Sequence, residues 1–387
     1  NFKQKGFRVK KVCCIYPQFK IKDTFSRYHK YSFLCMYMKF TKLLTAVLVL
    51  AANHLCFSQS GGVIGGNYVY QYLNIPASAR VASLGGTYIT VKDDDINTGM
   101  QAASLLNSEM NKALTFGGVS YADGIKFGNV AFAKHYDKIG TFLASMNYAG
   151  YGQFIETDEF GTVIGTFKAS DYALTFGYGK ELNKYFSYGG AIKFLYSDYY
   201  IANSFGIAAD LSATFCDTTR KITATVQFKN IGSQLKNYVD GANEPLPAEA
   251  SIGISKRLSH TPLRFSLTYR HLETFDLSYE DPLDLGDVDP VTGEAQIKTI
   301  DFWNKFSRHF IFGADILITK NFHINGGYNF QRRKELQVSS RPGLTGFSFG
   351  VSMKISKFII SYGRASYHLA GGADHFSITT NLAEFVK

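Results

Sequence analysis

Ile222-Thr-Ala-Thr-Val-Gln-Phe-Lys229 alternates at every step, with Ile222, Ala224, Val226 and Phe228 on one side and Thr223, Thr225, Gln227 and Lys229 on the other. A period of two marks an extended strand, whose successive side chains leave opposite faces. The pattern returns in Leu263-Arg-Phe-Ser-Leu-Thr-Tyr-Arg270, with Arg264 and Arg270 on the polar face. It returns again in Phe322-His-Ile-Asn-Gly-Gly-Tyr-Asn-Phe-Gln331 and in Phe347-Ser-Phe-Gly-Val-Ser-Met-Lys354. In a soluble sandwich the apolar face of such strands is the core. In a membrane barrel it meets lipid, and the polar face lines the lumen. Periodicity alone leaves both readings open.

From Lys112 onward the alternation marks fourteen segments: 113–121, 126–135, 139–149, 167–179, 185–197, 202–215, 221–230, 247–257, 263–272, 307–319, 321–331, 344–354, 357–367 and 374–382. Their lengths suit the strands of outer-membrane barrels. Connections alternate too. Short ones fall at 135–138, 180–184, 217–220, 258–262, Lys320 and 355–356. The other set is mostly long, at 150–166, 231–246, 273–306, 332–343 and 368–373, with 122–125 and 198–201 as exceptions. Short periplasmic turns and longer outer loops are what a barrel inserted from the periplasm shows. Pro245, Pro247, Pro262, Pro282, Pro290 and Pro342 sit between strands, as a ladder without free edges requires. Tyr148, Tyr151, Tyr199, Tyr200 and Trp303 lie near strand ends, a position that suits the headgroup level. The expectation is an all-β fold: a transmembrane antiparallel β-barrel of about fourteen strands in a bacterial outer membrane, with its loops at the cell surface and membrane lipid and lipopolysaccharide around it.

The formal charge of +10 suggests an anionic partner until its location is read. Residues 1–37 hold nine Lys or Arg against Asp23 alone, and Lys39 and Lys42 follow. Removing these 11 bases and one acid from totals of 41 and 31 leaves 30 of each beyond Ser58. A neutral body offers no footprint for nucleic acid. Met38-Lys-Phe-Thr-Lys42 followed by apolar Leu43–Ala52 reads as a signal peptide over 38–58, too short to span a bilayer. Cleavage is expected before Gln59, and residues 1–37 are expected to be a non-native upstream extension. Four of the five cysteines precede that point, so Cys216 remains without an intramolecular disulfide partner.

Residues 59–111 depart from the alternation. They carry Gly85-Gly86, the acidic step Asp93-Asp94-Asp95 and a helix-like stretch Thr98–Met110, and are expected to form an N-terminal plug inside a barrel of 112–387. Leu73-Asn-Ile-Pro-Ala-Ser-Ala-Arg-Val-Ala-Ser-Leu-Gly-Gly-Thr87, the acidic step and Gln101-Ala-Ala-Ser-Leu-Leu106 resemble the opening of the PorV/PorQ branch of FadL-like outer-membrane barrels, with the PorQ side nearer. Ala79, Arg80, Ala82, Leu84, Gly85 and Gly86 match the branch's A-R-x-A-x-L-G-G run, while Gln101-Ala102 stands where Asn-Pro is usual. Tyr178-Gly-Lys-Glu-Leu-Asn-Lys-Tyr-Phe-Ser-Tyr-Gly-Gly-Ala-Ile-Lys193 is similar to a FadL-type periplasmic turn. The resemblance implies a component of the type IX secretion system, holding a PorZ-like surface protein in an attachment complex with PorU and PorV. The alternative is a FadL-like transporter of hydrophobic small molecules. An open porin, the third reading, would pass a steady current that a plugged barrel would not.

No enzyme chemistry and no cofactor are expected. Ser233-Gln-Leu-Lys236 matches S-x-x-K but is placed in a loop, without a K-T-G or S-D-N partner, and one such match is chance. No histidine pair has zinc-helix spacing. The acidic loop around Asp284, Asp287, Asp289 and Glu294 has Val291 and Lys298 where a calcium loop needs oxygen ligands. Tyr238, Asp240, Asp276, Tyr279, Asp287, Asp289 and Trp303 are the loop candidates for partner binding. Lys193, Lys229, Arg264, Arg270, Asp315 and Lys354 are expected to face the lumen.

Overall fold

A computed structural model describes residues 68–121, 124–278, 287–288, 295–296, 300–337, 343–368 and 371–385. The expected leader and the upstream extension lie outside the described residues. Fourteen antiparallel strands form a closed barrel. In chain order they are β1 (Ala113–Ser120), β2 (Lys126–Tyr136), β3 (Gly140–Thr157), β4 (Val163–Glu181), β5 (Phe186–Tyr199), β6 (Ala202–Asp217), β7 (Ile222–Lys236), β8 (Glu249–Arg257) and β9 (Leu263–Tyr269). The short pair β10 (Asp287–Val288) and β11 (Ala295–Gln296) stands apart. The wall resumes with β12 (Phe310–Leu317), β13 (Phe322–Asn329), β14 (Phe347–Ile355), β15 (Phe358–His368) and β16 (Gly371–Asn381). β9 pairs with β12 across the longest connection, and β1 closes the wall on β16 with Ala113 opposite Asn381.

The two faces of the wall settle what periodicity left open. The buried faces are polar: Ser251 and Ser255 on β8, Ser266 and Thr268 on β9, Asp315 on β12, Ser348 and Ser352 on β14, Ser377 and Thr379 on β16. The exposed faces of the same strands carry Ile252, Ile254, Phe265, Leu267, Phe312, Phe349, Val351, Phe376 and Ile378. A water-soluble sandwich would show the reverse. A ring of exposed aromatic and aliphatic side chains far exceeds the apolar patch a soluble monomer tolerates, whereas lipid covers it at no cost. Among the described residues no helix is long and apolar enough to cross a membrane.

Residues 68–111 lie within the ring of strands. Tyr70 bonds Ser204 on β6, and Gln227 on β7 donates to the Gln101 carbonyl. Ser255 on β8, Asn329 on β13 and Ser348 on β14 donate to the carbonyls of Thr90, Gly85 and Ser83. Asn97 reaches Thr379 on β16. Partners on so many strands are within reach only from inside. The segment holds two short helices, α1 (Ala79–Ser83) and α2 (Ile96–Gln101), and 3-10 turns at Gln71–Asn74, Ala103–Leu105 and Ser108–Met110. Gly85 and Gly86 take φ of +96° and +99°, a left-handed step that side chains resist. There the segment's backbone comes so close to Gly327 on β13 that a Cβ on Gly327 would collide with Leu84 and Gly85.

Four sequence expectations need correction. The stretch 150–166 is not a loop: β3 and β4 run on past the neighbouring strands as a hairpin, pairing Phe154 with Phe167, their rings stacked 5.2 Å apart. Thr98–Met110 is not one helix, because Ala102 is extended at φ −142° and Asn107 at φ −145°. Ser233–Lys236 belongs to β7, not to a loop. The spans 307–319 and 321–331 give way at the loop end to α3 (Phe302–Ser307) and α4 (Phe330–Leu336). The Asp301 and Asn329 side chains accept N–H bonds from Trp303 and Arg332 there, as N-caps do.

Candidate functional site

The interior is organised by charge at two levels. Towards the short-turn end, Arg80 on α1 pairs with Asp93 at 2.9 Å and Asp95 at 3.0 Å. Arg264 on β9 lies 3.6 Å from Asp315 on β12, and Asp315 also takes hydrogen bonds from Tyr88 and Asn325. Tyr88 is thus tied to the wall, as is Asp93, which lies 3.9 Å from Arg264. Towards the long-connection end, Glu249 on β8 accepts from Lys229 at 2.9 Å and from the Arg270 Nε at 2.8 Å. Lys193 on β5 bonds Asp210 and Asn230, each at 2.7 Å. Asn230 takes φ 57° where β7 slips register against β6, and its N–H donates to Asp210. The bulge thereby turns a backbone donor towards a carboxylate.

Lys193, Lys229, Arg264, Arg270 and Asp315 all lie on the inward parity of their strands and are held in these pairs. Lys354 shares that parity on β14 but sits at the short-turn rim, 3.3 Å from Glu384 and more open to solvent. The loop candidates scatter. Tyr238 packs on an inner apolar cluster, its ring stacked 5.3 Å from Tyr199. Asp240 is exposed. Asp276 accepts from Lys305 and from the Ser278 N–H. Desolvation alone would raise its carboxyl, but these bonds outweigh it and hold the group below the usual carboxylate range. Trp303 is exposed on α3. Phe306 of that helix rests on Phe310 and Tyr269, on the outward side of the wall. Asp287 opens β10, while Tyr279 and Asp289 lie outside the described residues.

Two features escape the sequence reading. Asp171 on β4 is fully buried and gathers the hydroxyls of Tyr151, Tyr199 and Ser197. At the long-connection mouth a cavity of about 600 Å³ opens between α4, residues 270–277 and the start of the N-terminal segment. Tyr68, Gln71 and Asn74 of that segment line it. The signal for α4 was present in Asn329-Phe-Gln-Arg-Arg-Lys-Glu-Leu336, a capping residue before good helix formers, but the strand alternation running into it hid the break. Among the described residues no group of three or more His, Cys, Asp or Glu gathers to hold a metal ion.

No protein-family model matches the chain, and no curated protein matches it. Solved structures similar in fold include the Ralstonia pickettii toluene transporter TbuX, at 11% identity and a TM-score of 0.47 over 79% of this chain and 98% of that one. A Pseudomonas aeruginosa FadL homologue is similar at 10% identity and 0.45, covering 79% and 98%. The Pseudomonas putida toluene transporter TodX is similar at 10% identity and 0.44, covering 79% and 96%.

Proposed function

We propose that the chain is a non-enzymatic outer-membrane barrel through which small, largely apolar molecules pass, with residues 68–111 acting as a plug that must yield. One observation carries this reading. Tyr68, Gln71 and Asn74 line the mouth cavity, while Val69, Tyr70 and Tyr72 of the same stretch cover Ala149, Ala173, Leu195 and Ala208 on the inner wall. A single turn of chain therefore separates a cavity at the mouth from an apolar patch on the inner wall. Moving that turn joins the two, and an apolar surface with few polar groups suits an apolar passenger.

The test fixes the turn in place. Tyr70 and Ser204 meet through their hydroxyls at 2.5 Å. In a Cys216→Ser background, Tyr70→Cys and Ser204→Cys are bridged with dibromobimane, and uptake of N-phenyl-1-naphthylamine by intact cells is followed. Bridging should abolish the uptake that the unbridged barrel supports. Equal uptake with and without the bridge rejects the gated path.

The second reading is attachment of a PorZ-like surface protein within a type IX secretion complex. Its support is the resemblance of residues 73–106 together with the connections 237–248 and 270–309, which present Asp240 and Trp303. It calls for a β-propeller-type surface protein to co-purify from outer membranes and to be lost on deletion of 276–300.

A further inference from the structure

We propose that the mouth cavity binds an oxyanion, a carboxylate or phosphate group, between Arg308 and Arg332. The cavity, about 600 Å³, is of the size that small-molecule sites take, and its charges do not cancel. Arg270 is committed to Glu249, and His271 to Glu273 at 2.8 Å. Among the described residues Arg308 and Arg332 form no direct ion pair, and the carboxylate that feels the charge of Arg308 is Glu335. Arg308 spends only its Nε, on the Asn304 side-chain oxygen at 3.2 Å. Its two terminal nitrogens are not among the buried orphans and are free to take a ligand.

Arg332 is the stronger observation. It is 9% exposed, and its Nη1 is buried without a hydrogen-bond partner. Its guanidinium lies 4.1 Å from the centre of the Tyr367 ring, which fixes its plane and offers only the weak field of an aromatic face. A buried guanidinium nitrogen without an acceptor is costly, and Arg332 lines the cavity. Lys334 adds an exposed charge at the rim. Glu335 accepts from Gln331 at 3.0 Å. With Arg270 committed to Glu249, the cations Arg308, Arg332 and Lys334 outnumber the two lining acids, Glu273 and Glu335; that excess favours an anion, and the planar fork of arginine matches a carboxylate or phosphate edge. The amides of Gln71 and Asn74 in the lining suit a hydroxylated or otherwise polar remainder. The inference goes beyond the transport reading: it concerns binding and holds whether or not the plug moves.

The test is isothermal titration of the full-length protein in an uncharged detergent with inorganic phosphate, citrate and dihexanoyl phosphatidic acid. Saturable binding is expected, weakened about tenfold or more in Arg308→Gln and in Arg332→Gln and falling with added salt. Both variants are checked for heat-modifiable migration, so that loss of the barrel is not mistaken for loss of the site. Since Arg332 is also packed, Lys334→Gln serves as a solvent-facing variant with a smaller loss in the same direction. Binding of phosphate or citrate assigns the site to a soluble anion. Binding of the phosphatidic acid alone assigns it to a lipid headgroup, and either result supports the proposal. No saturable binding of any probe, or binding unchanged in all three variants, overturns it.

Discussion

Glu249 shows what a polar interior asks of single residues. It is 3% exposed and is the shared acceptor for Lys229 and Arg270. Replacing it by leucine leaves two buried cations without their counter-charge, at a cost of roughly 3–5 kcal/mol. Glu249→Leu should therefore unfold at a clearly lower temperature in a gel-shift series than wild type, with Glu249→Gln between the two. An unchanged unfolding temperature in Glu249→Leu would show that the pair network contributes nothing. Lys354→Met should change little, because its pair with Glu384 is open to solvent and such pairs are worth at most about 1 kcal/mol. The cations on the inner face were legible from parity alone, since Lys229 shares its side with Thr225 and Gln227. Their partners were not. Glu249 meets Lys229 and Arg270 from neighbouring strands, and that register is set by turn lengths, which alternation does not encode.

Among the elements, α3 is the one whose place has the most direct consequence. Its Phe306 lies on the outward aromatics Phe310 and Tyr269, and its Trp303 is exposed beside them. Lys305 ties the helix to Asp276. The Asp276 carboxyl is held below its usual range, so its folded value lies below the unfolded one. The stabilisation it gives is complete above about pH 4 and fades as pH falls through the folded value. Asp276 is 36% exposed at its side chain, so solvent screening keeps the effect small. Trp303 is the sole tryptophan, and its emission reports the docking. It should hold steady from neutral pH down to about 4 and change on further acidification, while Asp276→Asn shows the changed emission already at neutral pH. Identical profiles for the two proteins would contradict the tie. Strands were read well from sequence because fourteen repeats of one pattern reinforce each other. The β3–β4 hairpin was under-read because beyond Gly150 the strands leave the wall. Both of its faces are then open, and alternation loses its meaning.

As a whole the molecule is inside-out: serines, threonines and paired charges within, aromatic and aliphatic side chains without. Alternation alone showed the two faces but not which one was covered; the sorting of turns pointed to a barrel with the polar face inward. Closure of β1 on β16 is what makes one face inner and the other outer, and that contact joins residues at opposite ends of the barrel sequence. The sorting of turns into two sets was legible because it is a property of chain length. The mouth cavity was not, because Arg308, just past α3, and Arg332, in α4, line one cavity only when the barrel closes. The claim beneath the rest is that lipid covers the outward face, and nitroxide accessibility measures it directly. In a Cys216→Ser background, spin labels at Ile252→Cys, Ile254→Cys, Leu267→Cys and Phe312→Cys are read in bilayers against Asp240→Cys in an exposed loop. The four wall positions should relax with dissolved oxygen and be shielded from water-soluble nickel chelate, with Asp240 the reverse. Nickel access at the wall equal to that at Asp240 would contradict the account.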